Sequence, residues 1–175
     1  MATKRRKGEC HKETTVRRLK RMSPMKCAEE FIKLKRDPSF LEKFWVNDVV
    51  GWGVKAKEQI RRGDFVAEYV GLLCSSEPED GDFKFEISSG KKKMWLDASV
   101  ENGTHGRLIN DDHIAPNTTP KLITVDKTRH LCFFALRDIC VGEEIRYNYG
   151  HGIDFPWRLK MEMIQWTTDL LVLNP

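Results

Sequence analysis

Between residues 45 and 150 the chain never holds one pattern for long. Runs rich in β-branched and aromatic residues fall at 49–50, 53–56, 65–70, 83–87, 94–96, 122–125, 131–136 and 145–147, and the segments that separate them carry Gly, Pro, Asn or Asp. Strands this short and this frequent predict a mainly β domain built of small sheets. No long helical pattern alternates with them, which excludes a doubly wound α/β fold. At 175 residues, the chain has room for one domain of ordinary size and a tail.

One internal echo sharpens this reading. Residues 56–66 and 135–145 both read A-x-x-x-I-x-x-G-[D/E]-x-[V/I], offset by 79 residues. In each copy a strand should end, a glycine should take positive φ in a turn, and a new strand should start. Two copies do not make a solenoid; they predict one turn chemistry used at two sheet corners.

Charge divides the chain. Residues 1–36 carry thirteen Lys/Arg against four Asp/Glu, a net of +9, and residues 37–175 carry a net of −5. The clusters Lys4-Arg5-Arg6-Lys7 and Arg17-Arg18-Leu19-Lys20-Arg21 suit salt-sensitive binding to DNA phosphates and resemble nuclear import signals. A solvated tail without a partner is the other reading. Residues 1–22 are expected to form a disordered basic arm. The five cysteines include no C-x-x-C pair and are odd in number, so neither a zinc site nor a disulfide framework is expected. They read as reduced thiols of an intracellular protein. The longest apolar run is 131–136, far short of the ~20 residues of a spanning helix; no membrane association is expected.

Ser23-Pro24 opens a helix, with Ser23 as N-cap and Pro24 in its first position; Asp37-Pro38 should close it. Residues 23–44 thus form an N-terminal helix and linker, 45–157 the β domain, and 158–175 a C-terminal helix or tail, opened by Asp154-Phe155-Pro156.

Common catalytic signatures are absent. There is no G-x-x-x-x-G-K phosphate loop and no G-x-S-x-G elbow, and the histidines lack metal-ligand spacing. The three tyrosines stand out: Tyr69 follows Val66-Ala67-Glu68, while Tyr147 and Tyr149 share the segment 142–150. On their own they are amphipathic core-edge residues with paired hydroxyls.

Five segments in order carry more. They are Gly51-x-Gly53; Gly63-Asp64-Phe65-Val66-x-Glu68-Tyr69-x-Gly71; Gly106-Arg107-Leu108-Ile109-Asn110; Pro116-Asn117; and Gly142-Glu143-Glu144-Ile145-x-Tyr147-x-Tyr149-Gly150. This series resembles the SET domain of protein lysine methyltransferases, and within that family the histone H4 tail lysine monomethyltransferases. The resemblance implies small sheets around a pseudoknot, in which 107–117 threads under 147–149. It implies S-adenosylmethionine on one face and a lysine entering from the other. Tyr149 then matches the position nearest the transferring methyl, and Tyr147 and Tyr69 the walls of the lysine channel. Val50, Gly51 and Trp52 match contacts to the methionine end of the cofactor. Asn110 with Asp111 matches the adenine region, and Phe83 a position flanking both ligands. The implied partners are a histone tail peptide or nucleosome, with DNA phosphates on the basic arm. The implied place is nuclear chromatin, and the implied state a monomer.

Three features depart from the family pattern. The usual Asn-His pair reads Asn110-Asp111. The segment 73–83 is shorter than the family's helix-bearing insert. Residues 158–175 match nothing in it. They motivate the alternative of a SET-like chromatin-binding module with weak or no turnover.

Overall fold

The computed structural model describes residues 22–79, 83–89, 92–150 and 158. The basic arm and almost all of the C-terminal segment expected to be helical lie outside the described residues.

The first element is α1 (Pro24–Leu34). Ser23 caps it, its hydroxyl accepting from the Lys26 N–H at 3.4 Å, and Lys35 ends it in a left-handed conformation. Its inward face, Ala28 and Ile32, packs on Phe65, Ile123, Cys132 and Phe134, and the Phe31 and Phe65 rings stack at 6.0 Å.

Strand β1 (Leu41–Asn47) pairs antiparallel with β2 (Gly51–Ala56). The β structure therefore begins at Leu41, four residues before the expected start at 45 and inside the expected linker. Cross-strand partners Glu42 and Lys55 lie 3.5 Å apart as an ion pair. Val49-Val50, expected as a strand, is instead the turn between β1 and β2. The Asn47 carboxamide oxygen accepts both the Val49 and Val50 N–H groups at 2.9 Å, an Asx turn that competes with extended pairing.

The chain continues through β3 (Phe65–Glu68), β4 (Leu72–Cys74), β5 (Lys84–Ser89) and β6 (Lys92–Asp97). A 3₁₀ turn at Gly106–Leu108 follows, then β7 (Asn110–Asp111), β8 (Thr118–Val125), β9 (Thr128–Ala135) and β10 (Arg146–Tyr147). Four small sheets result, ordered β1-β2, β7-β10, β3-β9-β8 and β4-β6-β5. The mainly β architecture of small sheets is as the sequence predicts. Strand β9 is central in its sheet and is buried from Leu131 to Ala135, which explains why it reads as an unbroken apolar run. Asp126 and Lys127, both at positive φ, form the two-residue hairpin to β8.

The internal echo has a structural counterpart that the sequence did not disclose: its two copies bind each other. Ile60 and Ile139 form an antiparallel bridge, with N–H to carbonyl distances of 3.0 and 2.8 Å. The Gly63 N–H donates to the Ala135 carbonyl at 2.8 Å, and the Gly142 N–H to the Ala56 carbonyl at 2.7 Å. The Asp64 carboxylate accepts the Arg61 N–H at 3.0 Å, and the Glu143 carboxylate the Cys140 N–H at 2.9 Å. Each bond recurs 79 residues on, so the two corners are related by a local twofold. Gly63 and Gly142 sit at φ +86° and +79°, where a β-carbon would be strained.

Threading completes the fold. The two-residue strands β7 and β10 pair in parallel, Asn110 with Arg146 and Asp111 with Tyr147. So short a ladder is held by side chains. Asn117, 3% exposed, accepts the Arg146 N–H at 2.8 Å. It donates to the Glu144 carbonyl at 2.7 Å and the Glu143 carboxylate at 3.0 Å. The Thr118 hydroxyl donates to the Arg146 carbonyl at 2.9 Å.

Two predictions follow from this crossing. Asn117→Ala orphans the Arg146 N–H and the Glu144 carbonyl, so it should cost at least ~2 kcal/mol of unfolding free energy; urea denaturation within a few tenths of wild type would contradict the assignment. For Glu143, burial alone would raise the carboxyl pKa. Hydrogen bonds from Arg137, the Cys140 N–H and Asn117 outweigh it and hold the group below its ordinary value. A lowered folded value stabilises fully above the ordinary glutamate value of about 4.3 and is lost as pH falls through the lowered one. Glu143→Gln should therefore be less stable at neutral pH and lose less between about pH 5 and pH 3. Identical slopes of denaturation midpoint against pH would refute this.

Candidate active site

The β1–β2 turn, the strand β7 and the segment after β10 enclose a cavity of about 540 Å³, within the usual range for ligand pockets. Val50, Gly51, Trp52, Phe83, Asn110, Asp111 and Tyr149 all line it. These residues come from distant parts of the chain, and the threading of β7 beside β10 brings them together. Gly51 takes φ +78° to turn the chain into the wall. Gly53 is required for space: a β-carbon there would lie 2.8 Å from the Val46 side chain and 2.9 Å from the Asn110 and Glu144 side chains. Asn110 donates to the Trp52 carbonyl at 3.2 Å and to the Glu144 carboxylate at 3.0 Å, locking β7 to β2.

The lining is mixed in charge. Lys43, Arg107 and Arg146 stand with Glu101, Asp111 and Glu144. Lys43 lies 4.4 Å over the Trp52 ring, and Trp52 meets Trp45 edge to face at 5.3 Å. The Arg107 guanidinium sits 4.1 Å over the Phe83 ring and donates to the Ala98 carbonyl at 2.6 Å. Its buried Nε has no hydrogen-bond partner among the described residues. These charges are largely paired within the wall, Lys43 with Glu101 at 3.5 Å and Arg146 with Glu144 at 3.0 Å.

Tyr69 and Tyr147 do not line this cavity. They lie behind Tyr149 in a buried aromatic cluster. The Tyr147 ring is 4.6 Å from Tyr149, 4.8 Å from Phe133 and 6.0 Å from Phe85. Tyr69 packs on Phe85 at 5.7 Å and on Phe133 at 6.4 Å. Tyr149 is thus the shared wall between cavity and cluster, and its hydroxyl donates to the Ile109 carbonyl at 2.9 Å. Burial, the largest cause, pushes the Tyr147 phenol well above its ordinary value, reinforced by Tyr149, Tyr69 and Asp111. Burial likewise raises Tyr69, against the nearby Arg107 charge. Both phenols therefore stay protonated at neutral pH.

The sequence reading missed Phe85, Phe133, Arg107 and Glu144 as neighbours of the site. A signal existed for Phe85: Phe83-Lys84-Phe85 places two aromatics on one face at strand period. For Glu144 there was none, because its role depends on a contact to Asn110.

The comparisons with known proteins agree with this geometry. The SET domain family model matches residues 51–150. A histone-lysine N-methyltransferase, set-1, of Caenorhabditis elegans is 35% identical over 59% of this chain and 48% of its own length. The N-lysine methyltransferase KMT5A of Xenopus tropicalis is 35% identical over 57% of this chain and 33% of its own. The chain thus spans less than half the length of either relative. Among solved structures, CpSET8 from Cryptosporidium superposes with a TM-score of 0.57 at 29% identity, covering 66% of this chain and 59% of that one. KRYPTONITE, in complex with mCHH DNA, an H3(1-15) peptide and SAH, gives 0.54 at 27% identity, covering 65% and 24%. The matched region takes in both corners of the local twofold, the threaded crossing and all three tyrosines, and with more than half of its length matched, this chain belongs to the SET-domain family.

Proposed function

We propose that this protein is a lysine methyltransferase that acts on a histone tail in nuclear chromatin, adding one methyl group to a lysine of the H4 tail. The observation that carries the reading is the partition at Tyr149, with a polar, mixed-charge cavity on one side and a buried aromatic cluster on the other. The names of the relatives and the H3 peptide and SAH of the KRYPTONITE structure support it. The basic arm, on this reading, holds DNA phosphates.

S-adenosylmethionine, when bound, supplies a methyl group activated by a sulfonium. Val50, Gly51, Trp52, Asn110 and Asp111 are the residues proposed to hold it, with Phe83 at the boundary of both ligands and the unpartnered Arg107 Nε available to an acceptor. The rest of the task falls to the aromatic cluster. A lysine amine attacks only after losing its proton, and a desolvated aromatic channel lowers a lysine pKa because it disfavours the cation. Tyr69 and Tyr147 cannot take that proton as phenolates, since burial keeps both neutral. Their hydroxyls can hydrogen-bond the neutral amine and aim its lone pair. Such orientation contributes several kcal/mol when the reacting atoms are aligned. The Tyr149 hydroxyl donates a hydrogen bond to the Ile109 carbonyl, which fixes the orientation of its oxygen, an acceptor suited to weak C–H···O contact with a polarised methyl.

The test is mass spectrometry of nucleosomes incubated with the protein and S-adenosylmethionine. Wild type should add a single methyl to an H4 tail lysine; a folded protein that adds none would favour the binding-module alternative. Product number should depend on Tyr147, because its hydroxyl, and any water it fixes, fills the room a second methyl needs. Tyr147→Phe keeps the ring and should shift product toward dimethyl-lysine. Tyr149→Phe should slow every methylation step instead. If Tyr147→Phe abolishes transfer and Tyr149→Phe does not, the two roles are exchanged.

A further inference from the structure

The wall of the cavity contains a buried charge whose own counter-ion the reading above leaves out of account. Asp111 lines the cavity with its side chain only 6% exposed. Its carboxylate has two kinds of partner. The Tyr149 N–H donates to Oδ1 at 3.0 Å. The Arg158 guanidinium forks onto both oxygens, Nε to Oδ2 at 2.5 Å and Nη2 to Oδ1 at 2.8 Å. Arg158 is itself 15% exposed, and its terminal nitrogens also approach the Gly150 carbonyl at 3.4 Å. One guanidinium therefore touches the strand that carries Asn110-Asp111 and the segment that carries Tyr149-Gly150.

This pairing is not interchangeable with other charges nearby. Arg146, the cation on the same wall, is engaged by Glu144 at 3.0 Å and Asp112 at 3.4 Å. Among the described residues Arg158 is the counter-ion that meets Asp111. A carboxylate this deeply buried without a counter-ion is strongly unfavourable, and removing one partner of such a pair costs more than the pair itself contributes. The bidentate fork also fixes direction as well as distance. With Arg158 in place, Asp111 can hold its oxygen toward the Tyr149 amide. Without it, the carboxylate must turn toward water or draw water into the cavity, and the amide loses its acceptor.

We propose that Arg158 is a positioning residue, whose bidentate pair with Asp111 fixes the Tyr149 backbone at the wall between the cofactor cavity and the aromatic cluster. The consequence for cofactor affinity rests on the methyl-transfer reading above; the effect on Tyr149 does not. The Asp111–Arg158 unit also neutralises a negative charge that would otherwise stand alone in the wall.

The experiment uses the full chain with Arg158→Gln, Arg158→Lys, Asp111→Asn and the double variant Arg158→Gln/Asp111→Asn. Hydrogen exchange of the Tyr149 amide is followed by NMR without cofactor, and S-adenosylmethionine affinity is read by calorimetry. Arg158→Gln should speed Tyr149 exchange and weaken affinity, each by about tenfold or more, as expected for a buried carboxylate left unpaired. Arg158→Lys, which keeps the charge without the fork, should fall between. Adding Asp111→Asn to Arg158→Gln should restore part of the affinity, because the unpaired charge is gone. A contact with no positioning role would leave Tyr149 exchange and cofactor affinity unchanged in Arg158→Gln. Unchanged Tyr149 exchange in Arg158→Gln overturns the proposal, and so does a double variant that recovers no affinity over Arg158→Gln. If wild type binds no S-adenosylmethionine while the Tyr149 amide still responds to Arg158→Gln, the methyl-transfer reading fails and the clasp stands.

Discussion

The structure depends on a crossing that its own main chain is too short to secure. Strands β7 and β10 are two residues each, and a parallel ladder of that length has little intrinsic strength. The Asn117 side chain supplies what the ladder lacks, with one acceptor bond and two donor bonds into the 143–146 segment. The Asn110 side chain does the same toward β2 and Glu144. Side-chain amides suit this role: they are uncharged, and each can satisfy donor and acceptor groups at once. The local twofold then braces the crossing from outside, because Gly142 and Glu143 bond to Ala56 next to the site and Gly63 and Asp64 bond to Ala135.

The partition at Tyr149 is a product of that crossing. Tyr149 stands two residues past the end of β10 and lines the cavity, while Tyr147, the last residue of β10, lies in the aromatic cluster. Tyr147 and Tyr149, two residues apart, share one face of this short extended segment, and their touching rings carry that face from the buried cluster out to the cavity wall. The arrangement suits a reaction in which two ligands meet at one point and need to be kept apart elsewhere. It also sets the electrostatics. The cavity side keeps charged groups of both signs, whereas the cluster side is buried enough that its phenols stay neutral. Alignment and desolvation are what such a site can supply to the methyl transfer proposed for it.

What the sequence made legible was local. Helix α1 was readable because Ser23-Pro24 and Asp37-Pro38 act within a turn of where they stand. The unbroken apolar run of β9 was readable because central burial leaves no alternation. The misreadings came from competition between local signals. Val49-Val50 has strand composition, yet the Asn47 side chain takes both amides and makes a turn. Residues up to 44 were read as helix and linker, yet β1 pairs with β2 from Leu41. The echo was visible as a repeated motif, but that its copies bind each other is a tertiary fact. So is the partner of Asp111. As a sequence feature that aspartate was a departure from the family's Asn-His pair, and its counter-ion stands 47 residues away. The tyrosines, Asn110 and the turn at 50–52 could be assigned to one site through resemblance alone, since periodicity says nothing of threading.

The central claim is that the cavity beneath the crossing is where the cofactor binds, with Tyr149 as its far wall. An NMR titration of the isotope-labelled protein with S-adenosylhomocysteine tests this most directly. The account predicts saturable shifts concentrated on the amides of Gly51, Trp52, Gly53, Asn110 and Tyr149 and on the Trp52 indole, with the outer strand β8 silent. Shifts centred on β8 or on α1, or none at millimolar ligand, would contradict it.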